Sequence, residues 1–374
     1  MEFSDEDELS SELSKSTKPV HVKNRQGPLV AYLGTPVSAE KIEYSLMHKS
    51  RKYENEGEQD AARWLSHKSQ VIVFTYSGKP VYTRYGSEEL IAGFTGTLQA
   101  LMSKVAVLGL TEGGDDRLKS IKMGASNILY LDRTPLILVS ICKVASFQSN
   151  IRLLKAVHAQ LIFILTGGIN RTLLERPGFD VRSLLGGTKP LLCNLISWMH
   201  RDMFLAIEDC AIEPLPLPYI CRQKWISLLE THSLESSILS FFLSGHRLIA
   251  ASTRMAPLVS ASDMVLLINL VISSPSFRSG ESWTPVCLPS VSTDAFVYAY
   301  VQFLTPEIAY ISLSQSSETF YQISSECRMI QDTVLDEELF SEVLTWTLKC
   351  PLAIEPTTPI LSHVCLYSAP ISFM

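Results

Sequence analysis

The chain has 374 residues, of which 46% are hydrophobic and 19% charged; this composition supports a sizeable core in two or three domains and excludes a chain that is disordered throughout. The net charge of −6 argues against nucleic acid as a partner, because nucleic-acid binding rewards a concentrated basic face. The 8 cysteines are scattered without a Cys-x-x-Cys pair, which is typical of a reduced cytoplasmic protein.

Residues 1–62 are predicted to form a disordered acidic tail followed by a linker. The first part of this segment is rich in Ser, Asp and Glu and holds too few apolar residues to offset the entropy of ordering. Its acidic start does not fit a secretory signal. The longest apolar run, Leu161–Leu165, is far shorter than the roughly 20 residues that span a bilayer. We therefore expect any role at a membrane to be peripheral.

The first predicted folded unit covers residues 63–210. Its expected elements are strands over 71–74 and 81–85, a helix over 87–104, strands over 117–123, 127–133 and 136–143, a helix from Ser149 to Gly167, and helices over 169–175, 181–186 and 190–207. Because consecutive strands joined by short turns pair antiparallel, these strands predict one five-stranded sheet covered by helices.

The second predicted unit covers residues 234–335, after an extended linker at 211–233 that contains Pro214, Pro216 and Pro218. Its expected elements are strands over 238–243 and 247–252, a helix over 262–272, strands over 284–288, 295–303 and 308–313, and a helix over 317–332. The β-β-α-β-β-β-α order repeats that of the first unit, which indicates a duplicated module. Residues 336–374 carry several prolines and are expected to be loosely structured.

The residues offer little support for catalysis. Gly109–Gly114 has some likeness to a phosphate-binding loop, but it lacks the Lys-Ser/Thr pair and follows a helix. No nucleophile elbow and no zinc-ligand spacing occurs. We expect no enzyme, no cofactor, no metal and no catalytic residue. The helix at 87–104 is apolar over a wide arc, so either part of it meets another chain or it is buried under residues 168–207.

Four segments closely resemble the SAND (Mon-type) vacuolar fusion protein family. They are Gly78–Glu89, Arg133–Val139, Leu184–Gly187 and Phe277–Pro289, and their order and separation also agree with the family. The last includes the sequence Trp-Thr-Pro-Val-Cys-Leu-Pro, which is not a generic motif. The resemblance covers residues 63–335.

The resemblance implies an α/β (α+β type) fold of tandem longin domains, each a five-stranded antiparallel-rich sheet flanked by helices. Residues 63–210 would be the first longin domain with extra helices and 234–335 the second. Family members continue into a third longin domain, of which little is recognisable after Leu335. Residues 336–374 are therefore expected to be a truncated or divergent third-domain region.

The resemblance also implies a function. The chain would pair with a Ccz-type longin partner, and the pair would be a guanine-nucleotide exchange factor for the late-endosomal and vacuolar Rab GTPase. An early-endosomal Rab and acidic phosphoinositide membranes would recruit it from the cytoplasm to endosomes and vacuoles or lysosomes. The alternatives are a scaffold or tether without exchange activity and an unrecognised enzyme.

In the family the Rab is held across the paired first longin domains, so we expect the contact region to lie in the first unit. The expected contact residues are the turn and helix start, Arg84, Tyr85, Ser87, Glu88 and Glu89, together with Phe94 and the outer helix face, Thr95, Gln99 and Ser103.

Overall fold

A computed structural model of the chain describes residues 67, 69–108, 118–143, 147–201, 212–232, 237–252, 259–336 and 339–348. The acidic tail and linker predicted for 1–62 and the Gly109–Gly114 loop lie outside these described residues, as does the segment 349–374.

The first unit is built on a five-stranded antiparallel sheet. Its elements are β1 (Ser69–Thr75), β2 (Pro80–Thr83), α1 (Ala92–Leu108), β3 (Ser120–Met123), β4 (Ser126–Arg133), β5 (Leu136–Cys142), α2 (Phe147–Leu165), α3 (Gly168–Glu175) and α4 (Lys189–Arg201). The strands lie in the order β2-β1-β5-β4-β3. The predicted element order of this unit is confirmed.

The strands β1 and β5 are buried along their whole length. They pair antiparallel, with Val73 opposite Leu138. Because successive side chains of a strand point to opposite faces, Val71 and Val73 belong to one hydrophobic cluster while Ile72 and Phe74 belong to another. The sheet therefore has two apolar faces, and helices cover both. Helix α1 lies on one face and α2, α3 and α4 lie on the other.

The second unit repeats the sheet and its topology. Its elements are α5 (Tyr219–His232), β6 (Ser237–Ser244), β7 (Arg247–Ala251), α6 (Ala261–Ser273), β8 (Ser282–Cys287), β9 (Phe296–Phe303), β10 (Ile308–Ser314), α7 (Phe320–Asp336) and α8 (Leu339–Leu348). The strand order β7-β6-β10-β9-β8 corresponds to that of the first sheet. Helix α6 covers one face, and α5, α7 and α8 cover the other. The duplicated architecture is confirmed.

The two units share one hydrophobic core, formed where α2 and α4 of the first unit meet α6 of the second. A buried polar contact crosses this core. Asn269 donates from Nδ2 to Gln160 Oε1 at 2.9 Å and to the Leu191 carbonyl at 3.0 Å, and Asn194 donates to Asn269 Oδ1 at 3.0 Å. Because unpaired buried amides are costly, this contact favours one alignment of the two units over others.

Gly167 lies at the corner between α2 and α3 and touches the second unit. Its N–H donates to the Thr293 carbonyl at 2.6 Å. A Cβ at this position would lie 2.9 Å from Thr293 Cβ and 3.1 Å from Asp294 Oδ1. We expect Gly167→Ala to lower the free energy of unfolding by about 1–3 kcal/mol, the usual cost of overpacking. Urea denaturation followed by circular dichroism measures the change.

Gly178→Ala is the matched control for this substitution, because a Cβ there would meet nothing within 4 Å. The control is expected to unfold at the wild-type urea concentration. If Gly167→Ala did the same, the close approach of the two units at this corner would be refuted.

The structure corrects three predictions of local structure. Helix α1 begins at Ala92 rather than 87, because residues 88–91 form a turn that the Leu90 N–H to Ser87 carbonyl bond closes at 3.2 Å. The linker predicted at 211–233 contains helix α5. The region after Leu335, predicted to be loosely structured, contains α8, whose Phe340 and Val343 are buried.

Smaller shifts occur at other element ends. The helix predicted from Ser149 begins at Phe147, and the helix predicted at 181–186 is one 3-10 turn over Val181–Ser183. No single helix in the described ranges is long and apolar enough to cross a membrane. The helices α2 and α3 reach that length and composition only together, and they meet at a 90° bend.

Candidate docking surface

Helix α1 covers the outer face of the first sheet with one apolar stripe. The stripe consists of Leu98 and Met102, continued by Ile91 in the turn just before the helix, and the polar side chain of Thr95 is buried in line with them. Phe94 is half-buried beside it. This stripe orients the helix, so the opposite side of α1 points away from the sheet.

The opposite side of α1 is exposed and nearly uncharged. Its exposed residues are Ala92, Gly93, Thr97, Ala100, Leu101, Ser103, Lys104, Ala106 and Val107, which we call the α1 surface. Lys104 is the one charged residue in the 17-residue helix, and Leu101 and Val107 are 41% and 64% exposed. Helices that face water normally carry several charges there, whereas the centres of protein interfaces are depleted of charge. The α1 surface therefore has the composition of a docking face.

Strand β3 extends this surface along the edge of the sheet. It is the last strand in the sheet order, so one side of its backbone is not paired within the sheet. Met123 is 42% exposed, and Ile121 packs against the same cluster as α1. Edge strands of this kind accept a further strand from a partner. Sequence reasoning missed Met123, although the low charge of residues 92–108 was a usable signal for α1.

The residues predicted for the outer face of α1 do not all lie on that face. Thr95 was placed there wrongly: it is fully buried, and its hydroxyl donates to the Gly78 carbonyl at 2.7 Å. Its position in the inward stripe explains the error. Ser103 is exposed, and half-buried Gln99 donates to the Ser103 hydroxyl at 3.0 Å. The alternative that α1 is buried under residues 168–207 is wrong for their described part, 168–201, because α3 and α4 lie on the other face of the sheet.

The turn that follows β2 is held mainly by internal contacts. Arg84 donates to the Ser69 carbonyl at 3.3 Å and to the Ser197 hydroxyl at 3.4 Å, which joins β1 to α4. The Tyr85 ring stacks on His67 with 3.9 Å between the ring centroids. Both side chains are half-buried. These contacts are explained by a structural role. The predicted contact of Arg84 and Tyr85 with a Rab remains a prediction.

The two glutamates of this turn form ion pairs with the extra helices. Glu88 accepts from the Thr83 N–H and from Lys189 Nζ, each at 3.1 Å. Glu89 is exposed and lies 3.9 Å from Arg182. Ser87 is half-buried, and its Oγ lies 3.4 Å from the Leu90 N–H. These contacts leave Glu89 the most accessible of the residues predicted in this turn.

The groups around the turn are not arranged for proton transfer or nucleophilic attack. The hydrogen bond from the Arg182 guanidinium lowers the pKa of Asp180 to about 2, so this carboxyl is an anion at neutral pH. Burial raises the pKa of the Cys193 thiol, which lies 3.3 Å from the Tyr82 hydroxyl, so Cys193 is not a reactive thiolate. In the part of the chain that the structure describes, no three His, Cys, Asp or Glu residues come together to hold a metal ion.

Comparison with known proteins agrees with the two units of the fold. The family model for the first longin domain of FUZ, MON1 and HPS1 matches residues 69–195. The model for the second longin domain of the same proteins matches residues 235–331. The two duplicated units are therefore longin domains, as the resemblance implied.

Individual relatives carry related names. The chain is 34% identical over 283 residues to a vacuolar fusion protein MON1 homolog of Arabidopsis thaliana, which covers 74% of this chain and 45% of that protein. It is 32% identical to Protein SAND of Takifugu rubripes over 302 residues, 79% of this chain and 56% of that protein.

A human relative, vacuolar fusion protein MON1 homolog A, is 32% identical over 276 residues, which are 72% of this chain and 41% of that protein. The chain thus spans about half the length of the curated relatives it matches. Together with the two domain matches, these relatives place the chain in the MON1 (SAND) family of longin-domain proteins.

Proposed function

We propose that this chain is one subunit of a heterodimeric guanine-nucleotide exchange factor that activates a late-endosomal and vacuolar Rab GTPase. The second subunit is a Ccz-type longin protein. The observation that carries the proposal is the exposed, nearly uncharged α1 surface on a longin domain, which suits docking of a second apolar surface. The names of the relatives support a role in vacuole fusion.

Nucleotide exchange does not require a reaction centre, and none is evident in the described part of the chain. An exchange factor binds the nucleotide-free GTPase more tightly than the nucleotide-bound form and shifts the equilibrium by that difference in affinity. It acts by moving a switch loop that the nucleotide phosphates and Mg²⁺ hold in place. Docking surfaces and a rigid scaffold are sufficient for this work, and the shared core of the two units supplies the rigidity.

The protein would act from the cytoplasm and be held at membranes peripherally. We propose that an early-endosomal Rab and acidic phosphoinositides recruit it to endosomes and to the vacuole or lysosome. No single described helix suits insertion across a bilayer, so recruitment is proposed to depend on contacts at the membrane surface.

Release of a fluorescent guanine nucleotide from a panel of Rabs tests the proposal. We expect faster release from a late-endosomal Rab when this chain and a Ccz-type partner are both present, and little acceleration by either protein alone. Unchanged release from every Rab would reject the exchange function. If the chain still paired with its partner in that case, a scaffold or tether without exchange activity would be the better description.

A further inference from the structure

Strand β3 presents backbone groups to the outside of the first sheet in a fixed alternation. The Tyr130 N–H donates to the Lys119 carbonyl at 3.0 Å, so these two residues form a hydrogen-bonded pair at the start of the β3–β4 ladder. In an antiparallel ladder such pairs alternate with pairs whose N–H and C=O groups point away from the partner strand. The backbone groups of Ser120 and Lys122 therefore point out of the sheet edge, and both residues are exposed.

The two edges of the second sheet are less open to a further strand. The β7 edge is covered by the segment before α5, because the Leu215 N–H donates to the Leu248 carbonyl at 2.8 Å and the Leu248 N–H donates to the Glu213 carbonyl at 2.9 Å. The other edge strand, β8, contains Pro285, which has no N–H. Proline in an edge strand discourages the addition of another strand. Strand β3 is thus better suited to accept a strand than either edge of the second sheet.

Three exposed lysines lie along the α1 surface and the β3 edge. Lys104 is on α1, Lys119 directly precedes β3, and Lys122 is within it. Within the described ranges none of these three side chains takes part in an ion pair. Their positive charges are therefore available to an incoming surface.

The described carboxylates of the first unit lie elsewhere. Glu88, Glu89 and Asp180 form ion pairs beside β2, which is the opposite edge of the sheet. Asp132 accepts a hydrogen bond from a tyrosine in the turn between β1 and β2. Glu175 ends helix α3, which is on the other face of the sheet. The described part of the α1 surface and the β3 edge thus carries charge of one sign only, which is positive.

We propose that the partner subunit adds an acidic strand to β3. Its backbone pairs with the outward N–H and C=O groups of Ser120 and Lys122, and it presents carboxylates to the three lysines. Opposite charges across neighbouring strands stabilise a sheet, and a surface of one sign speeds association with a partner of the other sign. This inference rests on the proposed function, because it describes the chemistry of the longin partner named there.

Stopped-flow association of the full chain with a Ccz-type partner tests the acidic character of the strand. We expect the double substitution Lys119→Glu with Lys122→Glu to lower the association rate constant about tenfold or more at about 50 mM NaCl. Raising the salt to about 500 mM should slow the wild type in the same direction. Lys155→Glu with Arg171→Glu is the matched control, since these exposed residues lie on α2 and α3, on the other face. It should leave the rate constant nearly unchanged.

A second pair of variants tests the backbone pairing. Lys122→Ala and Lys122→Pro both remove the lysine side chain, but only proline removes the outward N–H, and this N–H makes no bond within the sheet. We expect the complex of Lys122→Pro to dissociate about tenfold faster than that of Lys122→Ala, because a carbonyl of the added strand would be left unpaired. Circular dichroism checks that both variants are folded.

The outcomes separate this inference from the proposed function. Equal dissociation rates of the two folded Lys122 variants would overturn strand addition. An association rate that responds neither to salt nor to charge reversal would overturn the acidic character. That result would also follow if Glu112, Asp115 and Asp116, in the loop outside the described residues, neutralised the lysines. A wild-type chain that binds no Ccz-type partner at all would reject the proposed pairing itself, and this inference with it.

Discussion

Leu101→Asp is expected to abolish pairing of this chain with its proposed longin partner while leaving the chain folded. Leu101 is 41% exposed on α1, so a carboxylate there remains solvated in the unpaired protein. In a complex that covers the α1 surface, the same carboxylate would be buried without a partner, at a cost of several kcal/mol. Because about 1.4 kcal/mol corresponds to a tenfold change in affinity, binding should weaken by roughly a hundredfold or more.

Co-purification and titration calorimetry with the Ccz-type partner measure the effect. Leu174→Asp is the matched control, since Leu174 is 62% exposed on α3, on the other side of the first sheet. The control should pair as the wild type does. Wild-type affinity of Leu101→Asp would exclude the α1 surface from the interface.

Phe94→Asp is expected to act first on the fold and only then on pairing. Phe94 is half-buried against the cluster that α1 forms with the sheet, so the substitution removes apolar contacts and places a charge at the edge of the core. Large-to-small changes of fully buried aromatic residues cost about 3–5 kcal/mol, and we expect about 2–4 kcal/mol at this partly buried site. That is a large part of the stability of a typical domain, about 5–15 kcal/mol.

Urea denaturation of Phe94→Asp and of the milder variant Phe94→Leu distinguishes the two effects. Phe94→Leu should retain most of the stability and all of the pairing. A Phe94→Asp protein with wild-type stability and no pairing would place Phe94 directly in the interface. Wild-type stability together with wild-type pairing would remove it from both roles.

The sheets were predictable because their signals are local. Continuous apolar runs mark the central strands β1 and β5, and Gly78 and Gly245 adopt positive φ angles at the hairpin turns, where glycine is favoured. The repeated element order is itself enough to predict a duplicated module.

Helix α5 was not predicted, because the prolines at 214, 216 and 218 indicate an extended linker. The helical signal was present in Cys221, Trp225 and Leu229, which recur every four residues and are buried against the second sheet.

The sequence did not predict which side of α1 carries Thr95. A helix that is apolar over a wide arc fits a sheet in more than one rotation, and the contact of Thr95 with Gly78 is tertiary.

Hydrogen exchange of the chain with and without its Ccz-type partner tests the central claim most directly. The claim is that the α1 surface and the β3 edge are docking surfaces for another protein. We predict slower exchange over residues 92–108 and 120–123 when the partner is bound, because docking would limit opening of α1 and pair the edge strand. Unchanged exchange in both segments, with protection confined to other parts of the chain, would contradict the claim.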